Sequence, residues 1–382
     1  MKTYTYKIKK NKAAFAKIEE VFKTCDFIHN KCLRYWMDNK DTDTNANLYA
    51  FHKYIGRLRG TNLYPWLNRL YSQACQMACE PAWFAISNFY RKCKKGLPGK
   101  KGYPKWKHGT RSYEYSQTGY KYDQESRSLT ITDNTEVGKL RLYGNEFPAN
   151  GTKFQRVRIV KEADGYYVQI ITKEVRTEQA PITNNVIALD VGLKEYYTDS
   201  NGGVEPNPRF YRKAEKNLKN LHKKLSRKKK GSNNRKKAKQ VLARAYLKVR
   251  RKRKDHAIKL ARKLFLENDV VIIEKLTVAN MVRNKRLSKS IQDAGWSQFF
   301  GWLDTYSTIF GKTLIKVNPK NTSQTCSNCG KKAKVKLTLA DRVFECNKCG
   351  SRLDRDVNAA INLLDKGLTL LSKGVGTTSV SK

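Results

Sequence analysis

Four cysteines and three scattered carboxylates are the residues of this 382-residue chain whose types and spacing could do chemistry. Cys326-x2-Cys329 is followed, sixteen residues on, by Cys346-x2-Cys349. Each Cys-x-x-Cys turn sets two thiolates on one side of a tetrahedral Zn²⁺, and an intervening hairpin brings up the other pair. Gly330 and Gly350 follow the pairs and permit tight turns, while Val335, Leu337 and Leu339 alternate as a hairpin strand should. With every ligand supplied by protein, the metal is expected to be one structural zinc. Such a ribbon does not by itself make an enzyme, since small RNA-binding proteins use it too.

The carboxylates are Asp190 and Glu274, each ending an apolar run (Val186–Leu189 and Val270–Ile273), and Asp356 in the first turn of a C-terminal helical stretch. Strand ends of an α/β sheet open into the crevice where ligands bind. Carboxylates converging there suit hard divalent cations. Two Mg²⁺ about 4 Å apart can activate water and stabilise the leaving oxygen of a phosphodiester. Taken singly, an acid after a strand is most often a turn former; together and in this order the three suggest an RNase H-like nuclease. Asp354 competes with Asp356, but its ordinary role would be helix N-cap.

The charge points to a polyanionic partner. Lys and Arg number 78 against 33 acids, a net charge of +45. Each phosphate neutralised releases counterions, so nucleic acid is the expected partner. No apolar run nears the roughly 20 residues of a membrane span, and the basic start has no apolar signal core. A cytoplasmic protein with reduced cysteines follows from that reading. Residues 209–254 hold 22 Lys or Arg against one acid, Glu215. That excess repels itself without a counter-ion, so Lys223, Lys224, Arg227, Lys228, Lys229, Lys230, Arg235, Lys236, Lys237, Arg250, Arg251, Lys252 and Arg253 are candidate phosphate ligands. Cys25, Cys32, Cys75, Cys79 and Cys93 read as small core side chains. Most aromatics of residues 13–95, Tyr35, Trp36, Tyr54 and Tyr90 among them, read as core too, with base stacking the other use. The five histidines, His29, His52, His108, His222 and His256, form no metal or Ser-His-Asp pattern.

These groups need elements to position them, and the length allows two or three domains. A strand is expected over 3–9, then helices to about 95, including one opened at Pro65 and kinked or split by Pro81. Residues 91–112 read as a basic, Gly/Pro-rich linker. Strands at 128–132, 139–143, 156–160 and 166–172, the last two joined at Asp164-Gly165, suggest a small barrel completed by strand 3–9. Strands at 186–189, 196–199, 270–273 and 313–317 follow, with a helical hairpin broken at Gly231-Ser232-Asn233-Asn234 and helices at 291–310 and 354–364. That order is α/β. The segment after Gly367 reads as a frayed tail.

Three runs carry a family resemblance: Asp293-Ala294-Gly295-Trp296; Asn321-Thr322-Ser323-Gln324-Thr325-Cys326-Ser327-Asn328-Cys329-Gly330; and Asp354-Arg355-Asp356-Val357-Asn358-Ala359-Ala360-Ile361-Asn362. With Ile187–Gly192 and Ile272–Leu276, they resemble the TnpB family of transposon-encoded proteins, also named OrfB-type transposases and related to compact type V CRISPR effectors. Gly102-Tyr103-Pro104-Lys105-Trp106-Lys107 is similar to the family's basic segment, which adds Lys105 and Lys107 to the candidate contacts. The usual Asn after the Glu is Lys275 here. The resemblance implies a multidomain α/β, β-barrel and α chain: a wedge strand (1–12), a helical recognition lobe (13–95), a wedge β-barrel (96–184), a RuvC-like nuclease (185–319 and 353–366) with an inserted zinc ribbon (320–352), and a flexible tail (367–382). It implies an RNA-guided, Mg-dependent DNA endonuclease with Asp190, Glu274 and Asp356 as catalytic magnesium ligands. Guide RNA and double-stranded target DNA would be its partners, a short flanking motif its protein-read signal, and a monomer its favoured state. A DNA-strand-transfer transposase and a non-enzymatic nucleic-acid-binding regulator are the alternatives.

Overall fold

The computed structural model describes residues 1–40, 47–96, 99–335, 337–338 and 341–374. Pro98, Leu339 and the expected tail beyond 374 lie outside the described residues. The chain divides into two compact units, Met1–Val175 and Arg176–Lys382. The division falls before the expected boundary at 184/185, because residues 176–184 are tied to the second unit. Glu178 N–H donates to Ile309 O at 3.1 Å, and Thr183 N–H to Asp269 Oδ2 at 2.9 Å.

In the first unit, β1 (Lys2–Ile8) precedes three helices, α1 (Lys12–Asn39), α2 (Leu48–Arg59) and α3 (Ser72–Lys94). Helix α1 buries Ile18, Val21, Phe22, Cys25, Ile28, Cys32 and Leu33, the three- and four-residue spacing of one face. Pro65 opens only a 3₁₀ turn, and α3 starts later, at Ser72. Pro81 lies on the exposed side of α3, which continues through it. Then come β2 (Ser112–Tyr115), β3 (Tyr120–Asp123), β4 (Ser128–Ile131), β5 (Lys139–Tyr143), β6 (Phe154–Glu162) and β7 (Gly165–Thr172). They form a seven-stranded antiparallel sheet in the order β2-β6-β7-β1-β5-β4-β3, with β1 between β7 and β5. The pairing is linear, so the expected barrel is an open sheet with β2 and β3 at its edges. Strands β2 and β3, four residues each, were not expected from the sequence. The basic stretch begins inside α3, which runs to Lys94; its described residues 99–111 have no helix or strand, yet they are laced to α1. Asp26 accepts from Gly109 N at 2.6 Å and Thr110 Oγ1 at 2.6 Å, and Asn30 exchanges hydrogen bonds with the Lys107 backbone.

The second unit is built on β8 (Val186–Val191), β9 (Glu195–Asp199) and β10 (Val204–Pro206), then α4 (Phe210–Ser226), α5 (Asn233–Glu267) and β11 (Val270–Glu274). Short helices α6 (Val278–Met281) and α7 (Ser288–Ala294), then α8 (Trp296–Phe310), lead to β12 (Thr313–Val317). Gly295, at φ 71°, splits α7 from α8 where one helix was expected. Last come β13 (Val343–Glu345), β14 (Arg352–Asp354) and α9 (Arg355–Ser372). The sheet order is β10-β9-β8-β11-β12; β8, β11 and β12 are parallel neighbours and β9 is antiparallel to β8.

Alternation along the parallel strands gives the sheet two apolar faces. Ile187, Leu189, Val271, Ile273 and Leu314 pack with α5 and α8 residues such as Leu260, Phe265, Phe299 and Leu303. Ala188, Ile272, Ile315 and Val317 face the other way and meet Leu363 of α9. Helix α9 runs through Gly367 to Ser372, past the expected end at 364–366, because Gly367 is seated on the sheet. A Cβ there would lie 2.5 Å from Ile272 Cδ1 and 2.8 Å from Cγ1 and Cγ2.

Two helix glycines should therefore respond to alanine with opposite signs. Gly301 of α8 has open space around its Cβ position. Gly301→Ala should gain up to about 1 kcal/mol of helix propensity. Gly367→Ala must displace the buried, β-branched Ile272, an overpacking cost of about 1–3 kcal/mol. Denaturant unfolding of the two variants should show the first at or above the parent midpoint and the second below it.

Candidate active site

Asp190 and Glu274 meet because of register. Leu189 pairs with Ile273 in the parallel β8–β11 ladder, so the next residues along, Asp190 and Glu274, are neighbours across adjacent strands about 4.8 Å apart. Each lies two positions beyond a residue of the α9-covered face, Ala188 and Ile272, and so shares that face. Asp356 stands in the first turn of α9, the helix laid over it. The structure thus brings together three acids spread over 167 positions of sequence.

Electrostatics mark the cluster. Asp190 is held well above the ordinary carboxylate range, first by burial and then by the negative charges of Glu274 and Asp356. Burial pushes Glu274 up to about 7, against its hydrogen bond with Asp190 and the positive charge of Lys366. Asp356 faces guanidiniums: Arg355 Nη2 donates to its Oδ1 at 2.9 Å, and Arg342 Nη1 lies 3.7 Å from Oδ2. Asp354 points elsewhere. Its Oδ1 accepts from Asp356 N at 2.8 Å and Val357 N at 3.4 Å, the N-cap of α9.

The four cysteines also converge. Their Sγ atoms all lie within 4.8 Å of one another, with Cys329–Cys346 at 3.5 Å and Cys326–Cys349 at 3.7 Å. The two turns are copies: Gly330 N donates to Cys326 O at 3.0 Å and Gly350 N to Cys346 O at 2.9 Å, both glycines at φ 71°. The Ser351 hydroxyl and N–H pull the Cys349 thiol down to about 6. Backbone N–H groups of Cys349 and Lys348 also lower Cys346. The Lys331 N–H lowers Cys329, but burial and the neighbouring thiols outweigh it, to about 11. The expected strand at 335–339 is absent among its described residues; the ribbon's ladder is β13 with β14 instead.

The basic candidates divide by role. Lys105, Lys223, Lys224, Arg227, Lys228, Lys229, Lys230, Lys236, Lys237, Arg250, Arg251 and Lys252 present exposed side chains, and Lys107 is half-buried. Arg235 is committed to the fold, its Nη1 donating to Leu225 O at 2.9 Å and Lys228 O at 3.0 Å at the end of α4. Arg253 is half-buried with Nε 3.5 Å from Asp293 Oδ1.

Comparison with known proteins follows this geometry. The OrfB_IS605 family, described as "Probable transposase", matches residues 168–285, and the Cas12f1-like TNB domain matches 296–363. A Streptomyces pristinaespiralis protein named "Putative RNA-guided DNA endonuclease" is 31% identical over 81% of this chain and 75% of its own length. A second protein of that name, InsQ of Escherichia coli K12, is 28% identical over 92% of the chain and 88% of its own. The chain belongs to the TnpB family. Its fold is similar to that in the cryo-EM structure of a Cas12f1–sgRNA–target DNA complex, with TM-score 0.52 and 16% identity, covering 92% of this chain and 82% of that one.

Sequence reasoning assigned no role to four residues on which this TnpB protein's site depends. Asn358 and Asn362, one helical turn apart on α9, hold the backbone that enters the first cysteine turn. Asp293, buried, accepts from Tyr211 N at 2.7 Å and Arg212 N at 3.0 Å and so caps α4. Lys366 sets a positive charge near Glu274 while its Nζ donates to Lys320 O at 2.7 Å. Asp293, Asn358 and Asn362 all lie in runs that carry the family resemblance, and the i, i+4 spacing puts the asparagines on one helix face; what Asp293 does could not be read, since its partners lie 81 and 82 positions away.

Two outcomes test this geometry. The raised carboxyls bind protons more tightly folded than unfolded, so their ionisation costs stability. That cost is absent below the ordinary carboxylate range and complete above the folded value, about 7 for Glu274. In metal-free buffer Asp190→Asn should therefore melt higher than the parent at pH 8, the gap closing toward pH 4, while nuclease activity disappears. Asp354→Ala should lose the cap, about 0.5–2 kcal/mol, and keep activity, whereas Asp356→Ala should abolish it with little loss of fold, as cleavage assays beside thermal melts will show.

Proposed function

We propose that this chain is an RNA-guided DNA endonuclease whose second unit is an RNase H-like, RuvC-type nuclease. The observation that carries the reading is the placement of Asp190 and Glu274 side by side at the ends of β8 and β11, close enough to Asp356 at the start of α9 for the charges to interact. Three carboxylates offer only hard oxygen donors, and burial pushes the protonation of two of them upward, that of Asp190 further through its acidic neighbours, which fits a site built for divalent cations. Asp190, Glu274 and Asp356 would hold two Mg²⁺, which when bound supply the Lewis acidity that activates water and stabilises the leaving phosphodiester oxygen. Asp190 and Glu274 present their oxygens from rigid parallel strands. Arg355 and Arg342 hold the Asp356 carboxylate in one orientation, and the Asp354 cap fixes the helix turn that carries it.

Cys326, Cys329, Cys346 and Cys349 would hold one structural Zn²⁺. Four sulfurs within reach of one centre, two with lowered thiol values, suit that soft-ligand tetrahedral ion. The exposed basic face of the α4–α5 hairpin would take the phosphates of a guide RNA, gripped by shape and charge, while base pairing reads the DNA sequence. The helices α1–α3 would serve as the recognition lobe and the seven-stranded sheet as the wedge. Among the described residues no helix is long and apolar enough to cross a membrane.

The test is to isolate the RNA that copurifies with the protein and exchange its guide segment. Cutting should move to a DNA matching the new guide beside the same flanking motif, and free ends rather than joined ends should result. Charge reversal at Lys228, Lys229 and Lys230 should weaken RNA binding and flatten its salt dependence by about three counterions' worth of slope. A cut that does not follow the guide, or joined products, would replace this reading with the non-specific nuclease or the strand-transfer transposase.

A further inference from the structure

Helix α9 is joined to the ribbon by a ladder of side chains on one of its faces. Asn358, fully buried, accepts from Ser327 N at 2.9 Å and donates through Nδ2 to Thr325 O at 2.8 Å. One turn on, Asn362 Nδ2 donates to Thr322 O at 2.8 Å and Thr325 O at 2.7 Å. Ser327 lies inside the first cysteine turn, between Cys326 and Cys329, so an α9 amide hydrogen-bonds the loop that folds around the four sulfurs. At the other end of the ribbon, β14 runs without a break into α9, ending at the Asp354 cap. The turn bearing Asp356 is thus pinned to both halves of the ribbon, two residues before the buried Asn358.

We propose that Asn358 and Asn362 are positioning residues that couple the metal state of the cysteine ribbon to the place of the Asp356 carboxylate. When the ribbon is metallated, the 322–327 backbone is rigid and the two amides hold the first turns of α9 against the sheet. When the ribbon is empty, the first turn loosens, Asn358 loses a fixed partner, and Asp356 leaves Asp190 and Glu274. The coupling is reciprocal: cations at the carboxylates favour the α9 position that favours zinc in the ribbon. It explains why two polar asparagines, Asn358 buried and Asn362 half-buried, rather than an apolar contact, join the two elements. The amides satisfy backbone groups of a loop whose shape depends on the metal.

The inference rests on the proposed assignment of both clusters as metal sites. The experiment uses the full-length chain, checked to hold about one zinc per chain. Zinc affinity is measured by competition with a zinc-selective chelating dye, with and without Mn²⁺, a hard cation that prefers oxygen donors and is visible by EPR. In the parent, Mn²⁺ should tighten zinc binding about fivefold or more. In Asn358→Ala and in Asn362→Ala, zinc and Mn²⁺ should each still bind, but the ratio should fall toward one, with cooperative thermal melts showing that the variants are folded. Should Asn358→Ala not fold, Asn362→Ala, which keeps Asn358, decides. A parent ratio of one with both metals bound overturns the coupling and leaves the site assignments standing. An unchanged ratio in a folded variant overturns the role of the asparagines. A chain that binds neither metal overturns the assignments and the coupling together.

Discussion

Burial of two neighbouring carboxylates on adjacent parallel strands is the constraint that the second unit is arranged around. Asp190 and Glu274 are side by side because the β8–β11 register leaves them no alternative. Away from water, burial raises both proton affinities, and the negative charges of Glu274 and Asp356 raise that of Asp190 further. Their surroundings temper this without removing it. Lys366 supplies a positive charge to Glu274, and Asp356 enters already faced by Arg355 and Arg342.

Helix α9 is where this constraint meets the rest of the unit. It carries Asp356, roofs the sheet face that Asp190 and Glu274 share, and closes on β11 at Gly367, where a methyl group would collide with Ile272. It also carries the asparagines that grip the ribbon. A single rigid element therefore sets the height of the third acid above the sheet, and a disturbance at either end should be felt at the carboxylates.

The basic hairpin obeys a different economy. Its apolar seam is thin: Leu218, Leu242 and Val249 with a few half-buried neighbours. Against heavy self-repulsion, α4 gains a buried anionic cap from Asp293, and its end is tied by Arg235. Glu215 adds ion pairs with Arg212, Lys219 and Lys289. Charge density alone could not separate Arg235 from Lys236, although one is structural and the other faces solvent.

The cysteine spacing, the apolar runs that end in Asp190 and Glu274, the Asp164-Gly165 hairpin and the helical break near Gly231 could all be read in the sequence, because each is a local pattern of period or turn chemistry. So could the choice of Asp354 as cap, which follows from its position relative to the helix start. Strands β2, β3 and β10 could not, being defined by their pairing with β6, β4 and β9, nor could the full length of α9, whose Gly367 looks like a terminator until Ile272 is found beneath it. Pro81 reads as a breaker but sits on an exposed face where α3 can carry it. Residue types and spacing marked the cysteines and the acids as candidate metal ligands and the lysine-rich stretch as a candidate phosphate surface. Only tertiary structure decided that Asp190, Glu274 and Asp356 share one face, that Asp293 caps a helix more than eighty residues away, and that Asn358 and Asn362 join ribbon to helix. Those facts depend on strand register and on which helix covers which face, and both are settled by packing between segments far apart in the chain.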